Sequence, residues 1–424
     1  MMKFAGNVNL IYGMSFLKLK DLPANLVVLL AFFIPTSTTL TYVPVLGILV
    51  FWFFGGHRQD KIRWYFNYPL SMPILFLTFI YLAGIVYTSA EWKYCFSSLR
   101  DIFRFCCIPI FAYYLHLSDP AKKEYALKFF IAAMLLTCAL GMLKILGSLP
   151  IGEKHSGSGI FKSHIKTSYF MAIALFFIFV NFYYQRKHQA LNLILISVLL
   201  FYMFYLNTGR TGYLILLASF SVFAWYQFRL KGLVILGVIF SVLLAAAYFT
   251  SEVFATRINE LHSELLFYLQ GTTVSSLGAR LEFAVNSFMI FLQRPFFGFG
   301  TGSFMGIYEA TYAGQEMLLT DNPHNEYLKI MVEFGVFGLI ALLWFFVRAW
   351  QAMLKLPVPT KILALGILFS FIVGCLFNSW INDFTESHFV CLMLAIFVSG
   401  DQKTTLKPPC FLHGGKISLN PTRP

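Results

Sequence analysis

The sequence predicts an all-α polytopic membrane protein, and two observations support this fold class. Of the 424 residues, 58% are hydrophobic and only 12% are charged, which is more apolar surface than a soluble domain of this size can bury. Apolar stretches also recur along the chain, many of them close to the roughly 20 residues that a helix needs to cross a bilayer. We therefore expect about 12 transmembrane helices and one large extramembrane loop with amphipathic helices.

The apolar runs give the order of these spans. They cover residues 25–41, 42–55, 69–88, 94–117, 124–147, 166–184, 190–207, 210–229, 231–250, 324–348, 360–378 and 386–400. Pro35 and Pro44 interrupt the first two runs, and a polar interval rich in glycine and serine fills residues 150–165. The chain accordingly divides into helices 1–9 within 1–250, a loop at 251–323, helices 10–12 within 324–400 and a tail at 401–424.

Lysine and arginine concentrate in every second loop, and cytoplasmic loops are the ones enriched in these residues. The loops after even-numbered spans carry Arg58, Lys61, Arg63, Lys122, Lys123, Arg186, Lys187, Arg229, Lys231, Arg348, Lys355 and Lys361. Both termini are therefore expected in the cytoplasm, and the 251–323 loop on the outer side. The net charge of +13 follows this pattern, so we expect a membrane-lipid environment and no nucleic-acid partner. The N-terminus lacks the pattern of a removed signal peptide.

Cysteine and histidine spacing gives no indication of a metal site. The seven cysteines lie mostly inside apolar runs, without a C-x-x-C pair or nearby histidines, as is typical of small buried or lipid-facing residues. Neither H-E-x-x-H nor D-x-D occurs. We expect no catalytic metal and no other cofactor.

The long outer loop is rich in aromatic residues and too polar to span a membrane. Residues 252–270 and 277–292 are predicted to form amphipathic helices lying at the membrane interface over a cavity, because loops this long are usually functional. The glycine stretch Phe297–Gly302 follows no strand and lacks a Gly-Lys-Ser/Thr end. It is therefore predicted to be a packed turn rather than a nucleotide-binding loop.

The segment Asn322-Pro323-His324-Asn325-Glu326 precedes the tenth span. Asn322 is a suitable N-cap and Pro323 suits the first helical position, which predicts His324 in the first turn of a long helix. The helix dipole favours a neutral imidazole there, as a general base near neutral pH requires. The alternative is a capping segment whose histidine merely faces water.

Two arginines fall on the predicted outer side. Arg210 lies between Gly209 and Gly212 at the junction of two spans, where glycines allow a ligand close to the backbone and the guanidinium offers a fork for phosphate. Arg280 begins the second loop helix, with no carboxylate at helical pairing distance. The alternative for Arg210 is that it binds a lipid headgroup, and the alternative for Arg280 is that it is an ordinary surface charge.

Four further charged or polar residues are candidates for binding substrate. Arg100 and Arg104 are predicted to share one face of the fourth span, and charges within spans usually face polar cavities. Asp101 beside them leaves an internal salt bridge as the alternative. His164 and Lys166 mark the outer start of the sixth span, where an ordinary polar loop is the alternative.

The chain resembles the O-antigen ligase/polymerase superfamily of bacterial inner-membrane glycosyltransferases, and in particular its O-antigen ligases. His324-Asn325, nine residues and Gly335-Val336-Phe337-Gly338 resemble the ligase pattern of a histidine, a small polar residue, nine spacers and G-x-x-G. The segment 210–214 resembles the R-x-x-x-L element of the family, and Arg280 its loop arginine. The glycine stretch at 295–304 is also similar to a family feature.

This resemblance implies transfer of a glycan from undecaprenyl pyrophosphate to the lipid A–core oligosaccharide at the periplasmic face. His324 would act as base on the acceptor hydroxyl, with Asn325 in the substrate-binding site, and Arg210 and Arg280 would hold the pyrophosphate. Fixed guanidinium groups could then replace a metal. Direct displacement would invert the configuration at the anomeric carbon. Arg100, Arg104, His164 and Lys166 are added from position and charge alone.

Other functions remain open at this point. An O-antigen polymerase or a protein O-oligosaccharyltransferase of the same superfamily would differ in acceptor. A lipid or sugar transporter could also have about 12 spans, although we detect no internal repeat. A non-enzymatic assembly partner would leave His324 and the outer arginines without a purpose.

Overall fold

The computed structural model describes residues 21–147, 159–185, 188–271, 275–313 and 318–400. These residues form helices and connecting loops, with no strand among them. The helices are α1 Leu22–Thr36, α2 Thr38–Phe54, α3 Arg58–Asn67, α4 Ser71–Gly84, α5 Trp92–Phe103, α6 Ile108–His116, α7 Ala121–Ile145, α8 His164–Tyr184, α9 Gln189–Phe201, α10 Thr211–Thr250, α11 Glu252–Leu269, α12 Ser276–Gln293, α13 Phe304–Tyr312, α14 Glu326–Met353, α15 Val358–Gly374 and α16 Phe384–Val398. The predicted tail at 401–424 lies outside the described residues.

Five helical segments among the described residues are long and apolar enough to cross a membrane, which makes the protein a multi-pass membrane protein. They are α7, α8, α10, α14 and the segment Gln189–Leu206, which joins α9 to a following π-helical turn. The bent pair α2–α3 would make a sixth, and α1, α4, α15 and α16 are apolar but shorter. The larger number expected from the sequence stays a prediction.

Helix α10 is twice as long as a span requires. Its 40 residues would extend about 60 Å as a straight helix, against a hydrocarbon core of about 30 Å. The backbone breaks at Arg229, which has φ 55° and ψ −140°, and a Cβ on Gly232 would overlap the carbonyl of Ala224. The chain therefore turns back at Arg229, where the sequence predicts the boundary between two spans.

The first two apolar runs divide at a different place from the one predicted. The break falls at Ser37, whose extended backbone and hydroxyl cap α2 by accepting the Leu40 N–H at 3.2 Å. Pro35 and Pro44 lie inside α1 and α2. A serine cap satisfies an otherwise unpaired helix N–H, and this local signal outweighs the prolines in deciding the boundary.

The main core lies where α8 and α16 meet the surrounding helices. Nearly every residue of Thr385–Phe397 is buried, as are most of those in α8. Around them, α1 packs on α7, and α10 packs on both α8 and α15. Burial on all sides of α8 and α16 explains why their sequences are apolar around the whole circumference.

A second, smaller core joins the long loop to α14. Predicted amphipathic helices at 252–270 and 277–292 correspond to α11 and α12, whereas α13 was not predicted. This core consists of Phe283, Ile290, Phe291, Phe299, Phe304, Tyr308 and Val332. It holds α12, α13 and the glycine stretch against the first half of α14, next to His324.

Candidate active site at the start of α14

His324 lies in a tight turn just before α14 rather than in its first helical turn. Its φ of 51° is left-handed, and the Asn322 side-chain oxygen accepts the His324 N–H at 2.9 Å. The N-cap is Asn325, whose side chain accepts the Leu328 N–H at 3.1 Å. The predicted cap at Asn322 is therefore wrong by three residues, because this asparagine closes its own turn two residues on.

The imidazole of His324 is half-buried against Phe283, with the rings 27° apart and their centroids separated by 6.4 Å. Its Nδ1 lies 3.1 Å from Asn378 Oδ1. Burial lowers the pKa of His324, and the positive charge of Arg280 lowers it further, against an opposing effect of the Asn378 hydrogen bond. A neutral imidazole is favoured as predicted, although desolvation is the main cause rather than a helix terminus.

Arg280 lies on α12 between His324 and Arg210. The Ser275 hydroxyl caps this helix by accepting the Gly278 N–H at 3.0 Å, which fixes the first turn from which Arg280 extends. Burial lowers the pKa of Arg280, and the charge of Arg210 adds to this effect while Glu264 opposes it. Arg280 donates to the Phe377 carbonyl at 3.4 Å and forms no ion pair with any carboxylate in the described residues.

Arg210 immediately precedes α10 and reaches across to α11. Its two terminal nitrogens each lie 3.2 Å from a different carboxylate oxygen of Glu264. This forked geometry is the one that arginine also uses for phosphate. Arg210 and Arg280 thus place two positive charges beside one carboxylate, and the electrostatic effects of Arg280 connect all three predicted catalytic residues.

The glycines beside Arg210 serve helix packing in this structure. A Cβ on Gly209 or Gly212 would overlap Ser168 of α8, and the Gly212 N–H donates to the Ser168 hydroxyl at 3.2 Å. Their predicted role of admitting a ligand to the backbone is therefore replaced by close contact between α10 and α8. This contact fixes the position from which Arg210 extends.

The G-x-x-G segment breaks α14 at Gly335. Its φ of 64° and ψ of −157° lie in a region that only glycine occupies readily. At the break, the carbonyls of Val332 and Glu333 lose the usual partners four residues ahead, the N–H groups of Val336 and Phe337. These four groups need new partners.

The glycine stretch supplies these partners. Phe299 N–H donates to Val332 O at 3.0 Å, Gly300 N–H to Glu333 O at 2.7 Å, Val336 N–H to Pro295 O at 2.8 Å and Phe337 N–H to Phe296 O at 3.4 Å. Gly298, Gly300 and Gly302 have positive φ and contact the backbones of α14, α4 and α5. The stretch is thus a packed turn, as predicted. It holds together the two parts of α14, the helix that follows His324.

Comparison with known families finds a similarity that includes these elements. Residues 195–343 match the family model described as O-antigen ligase. This segment is therefore similar to O-antigen ligases. This match covers about a third of the chain and contains Arg210, Arg280, His324 and Gly335. No curated protein matches the chain.

Members of the O-antigen ligase superfamily are glycosyltransferase-like membrane enzymes. Within the matched segment Asn325 has both ends of its amide engaged with the backbone, since it caps α14 and its nitrogen donates to the Leu376 carbonyl at 3.1 Å. Asn325 therefore fixes the turn that carries His324.

Arg100 and Arg104 lie outside the O-antigen ligase match, and both contact Asp101. Helix α5 ends at Phe103, and Arg104 follows it as the C-cap with a helical backbone. Arg100 is exposed and donates to the Ser97 hydroxyl at 3.0 Å. Arg104 is buried, pairs with Asp101 and donates to the Asn382 carbonyl at 3.1 Å and the Ser387 hydroxyl at 3.0 Å. Arg104 therefore forms the internal salt bridge that was the alternative to a substrate-binding role.

His164 and Lys166 begin α8, also outside the matched segment. Lys166 Nζ lies 3.1 Å from Asp383 Oδ1 and 3.3 Å from Glu386 Oε2. Two carboxylates thus engage this ammonium, which makes it part of the protein's own structure. The His164 carbonyl and Ser168 form the surface on which Gly209 packs.

Sequence reasoning missed Asn378 and Glu264, which contact His324 and Arg210. Asn378 lies in the connection between α15 and α16, 54 residues after the histidine that it contacts. Glu264 lies in the middle of α11, among other polar residues of that helix. Neither position belongs to a local motif, so only the tertiary structure brings these residues to the site.

Proposed function

We propose that this protein is an O-antigen ligase that transfers a glycan from undecaprenyl pyrophosphate to the lipid A–core oligosaccharide in lipopolysaccharide biosynthesis. The supporting observation is that Arg280 lies close enough to His324 to lower its pKa, and that the charge of Arg210 in turn lowers the pKa of Arg280, although the three residues lie far apart in sequence. The combination provides a neutral base beside a guanidinium, that of Arg280, with no ion-pair partner among the described residues. It suits attack by a hydroxyl on a sugar carried by a diphosphate.

In the proposed step, His324 removes the proton from a hydroxyl of the acceptor sugar. The hydroxyl oxygen forms a bond to the anomeric carbon of the donor glycan, and the bond from that carbon to the diphosphate oxygen breaks. Displacement from the opposite face inverts the anomeric configuration. The proton remains on His324 after the transfer, and His324 releases it to solvent before the next cycle.

Arg210 and Arg280 bind the diphosphate and stabilise the negative charge that develops on it. Fixed guanidinium groups need no reorganisation as the charge appears, which makes them effective in stabilising the transition state. Arg280 is suited to this role because its charge is half-buried without a carboxylate partner among the described residues. Arg210 would exchange its fork to Glu264 for a fork to phosphate.

The proposal also places the reaction in the cell. The positive residues of alternate loops support an orientation with both termini in the cytoplasm and the start of α14 on the periplasmic side of the inner membrane. The α11–α13 segment would then cover a site that both lipid-linked substrates reach from the bilayer. This orientation accords with a donor and an acceptor that are both anchored in the membrane.

The test uses purified protein in nanodiscs with an undecaprenyl-pyrophosphate-linked glycan and lipid A–core, with and without EDTA. Wild type is compared with His324→Ala and with Arg348→Ala, an exposed arginine later on α14. We expect wild type and Arg348→Ala to join glycan to lipid A–core in EDTA, and His324→Ala to lose this activity. Growth of the glycan on its own carrier would indicate a polymerase, transfer to protein an oligosaccharyltransferase, and lipid movement without transfer a transporter.

A further inference from the structure

Asn378 connects His324 to a charged pair at the start of α16. Its Oδ1 lies 3.1 Å from His324 Nδ1 and accepts the Ser379 N–H at 3.0 Å. Its Nδ2 donates to Asp383 Oδ2 at 2.9 Å. The other carboxylate oxygen of Asp383 lies 3.1 Å from Lys166 Nζ. One side-chain amide thus lies between the imidazole and an ion pair.

The two ends of the Asn378 amide are distinguished by their partners. A carboxylate is only an acceptor, so the end of the amide that faces Asp383 has to be the NH2 group. The opposite end is then the carbonyl oxygen, and the backbone N–H of Ser379, which is a donor, requires the same assignment. The lysine beside Asp383 holds this carboxylate in place.

This orientation determines which ring nitrogen of His324 carries the proton. Oδ1 of Asn378 can only accept, so the Nδ1 facing it has to donate. A neutral imidazole has one N–H, and Nε2 then keeps its lone pair. We propose that Asn378, oriented by Asp383 and Lys166, holds His324 in the Nδ1–H tautomer and leaves Nε2 as the base.

This inference deepens the proposed function and rests on it for the role of Nε2, although the tautomer itself does not depend on activity. Asn378, Asp383 and Lys166 are positioning residues, since they act through His324. They also lie outside residues 195–343. The histidine of the matched segment is thus oriented by helices that the match does not include.

Other charged groups around His324 leave this assignment in place. Arg280 approaches from α12, Asp321 from the preceding loop and Asp383 from the α15–α16 connection. The positive charge favours the neutral ring and the two carboxylates oppose it, but none of the three is hydrogen-bonded to the imidazole in the described structure. The direct contact to Nδ1 is the one from Asn378.

Nitrogen NMR of 15N-histidine-labelled protein in nanodiscs tests the tautomer directly, because protonated and unprotonated ring nitrogens resonate far apart. The signals of His324 are those missing from His324→Gln. In wild type at a pH where the ring is neutral, we expect Nδ1 protonated and Nε2 unprotonated. Asn378→Ala should mix the two tautomers, Asn378→Asp should retain the wild-type pattern because an acceptor remains, and Asn192→Ala on α9 should have no effect.

Asp383→Asn gives the second variant, because it removes the carboxylate that orients the amide while leaving Asn378 in place. We expect a mixture of tautomers in this variant too. A wild-type ring protonated at Nε2, or a ring that stays protonated at Nδ1 alone in both Asn378→Ala and Asp383→Asn, would overturn the inference.

Kinetics separates this inference from the proposed function. We expect Asn378→Ala to lower kcat about tenfold to a hundredfold with little change in the KM for donor, as for other partners that orient a functional histidine. An inactive wild type with the Nδ1–H tautomer would refute the proposed function alone. An active wild type whose ring is protonated at Nε2 would refute the positioning role alone.

Discussion

Two polar clusters in this protein use arginine in opposite ways. The Arg104 cluster comprises Asp101, Arg104, Asn382 and Ser387, and the His324 cluster comprises Arg210, Glu264, Arg280, His324 and Asn378. In the first, one buried guanidinium meets one buried carboxylate, and neutral oxygens satisfy its remaining donors. In the second, Arg210 pairs with Glu264 and Arg280 has no ion-pair partner among the described residues, and Arg280 lowers the pKa of His324.

The difference shows which arginines are available for a ligand. Desolvating a charge is costly unless a partner of opposite charge and good geometry compensates for it. The Arg104 cluster contains its compensation, and it therefore contributes to holding α5 against α16. In the His324 cluster, Arg280 has no ion-pair partner among the described residues, and an anionic ligand such as a diphosphate would pair with it.

The largest effect on transfer is expected at His324. Because a general base typically contributes about 10²- to 10⁴-fold, His324→Ala should reduce glycan transfer by that factor with little change in Tm. Rates and melting temperatures of purified protein give both quantities. His262→Ala, an exposed histidine on α11, serves as the control. Equal losses in the two variants would show that His324 has no special role.

Substitutions in the Arg104 cluster should instead change the stability of the protein. Arg104→Ala removes the buried partner of Asp101 and leaves this carboxylate with the exposed Arg100 and the Asn382 amide, which should cost up to about 3–5 kcal/mol and lower Tm markedly. The double variant Asp101→Leu/Arg104→Leu removes both charges and should recover much of the loss. Thermal unfolding in detergent measures both variants. Transfer to lipid A–core that falls in the stable double variant would assign Arg104 to the substrate site.

Arg280→Gln should reduce kcat about 10²- to 10³-fold, comparable to the loss of one donor to a developing anion. It should also shift the pH dependence. Arg280 lowers the pKa of His324, and the base has to be neutral, so removing this charge raises that pKa and moves the acidic limb of the kcat profile to higher pH. An unshifted acidic limb would show that the charge of Arg280 does not affect the pKa of His324.

Gly335→Ala tests whether the broken helix supports the site. A Cβ there would lie 2.3 Å from the Phe296 backbone, and the conformation itself costs about 1–3 kcal/mol for other residues. We expect a lower Tm and weaker transfer. Gly306→Ala on α13, where a Cβ meets no atom within 4 Å, should be neutral or slightly stabilising. Similar melting temperatures in the two variants would contradict the packing described above.

The smallest effect is expected at Glu264. Its carboxylate occupies the fork of Arg210, so Glu264→Gln should release the arginine for diphosphate and lower the KM for donor a few-fold, in keeping with a half-exposed pair worth about 0–1 kcal/mol. Initial rates over a range of donor concentrations measure this change. A higher KM would mean that Glu264 positions Arg210 rather than competing for it.

The sequence was sufficient to predict the helical class and to select His324, Arg210 and Arg280 as candidates, whose roles stay a prediction. Composition and run length predict the apolar helices, and the boundary near residue 230 appears as a break at Arg229. The family motif identifies His324 and the breaking glycine, because both depend on residues next to them in the chain. The end of α5 before Arg104 was missed, because no proline or glycine marks it.

The partners of the candidate residues could not be predicted in this way. Asn378 reaches His324 only because the α15–α16 connection folds over the start of α14, and Glu264 reaches Arg210 only because α11 packs beside α10. Such contacts depend on the tertiary fold rather than on local spacing. The same holds for Arg104, whose partners Asn382 and Ser387 lie far away in the sequence.

The most direct test of the charge comparison is diphosphate binding to protein in nanodiscs. The dissociation constant of undecaprenyl pyrophosphate would be measured for wild type, Arg210→Gln/Arg280→Gln and Asp101→Leu/Arg104→Leu. Because hydrogen bonds to charged groups contribute about 1.5–3 kcal/mol each, we predict that the first variant raises Kd at least about tenfold and that the second leaves it unchanged. An unchanged Kd in the first variant, or a raised Kd in the second alone, would contradict this account.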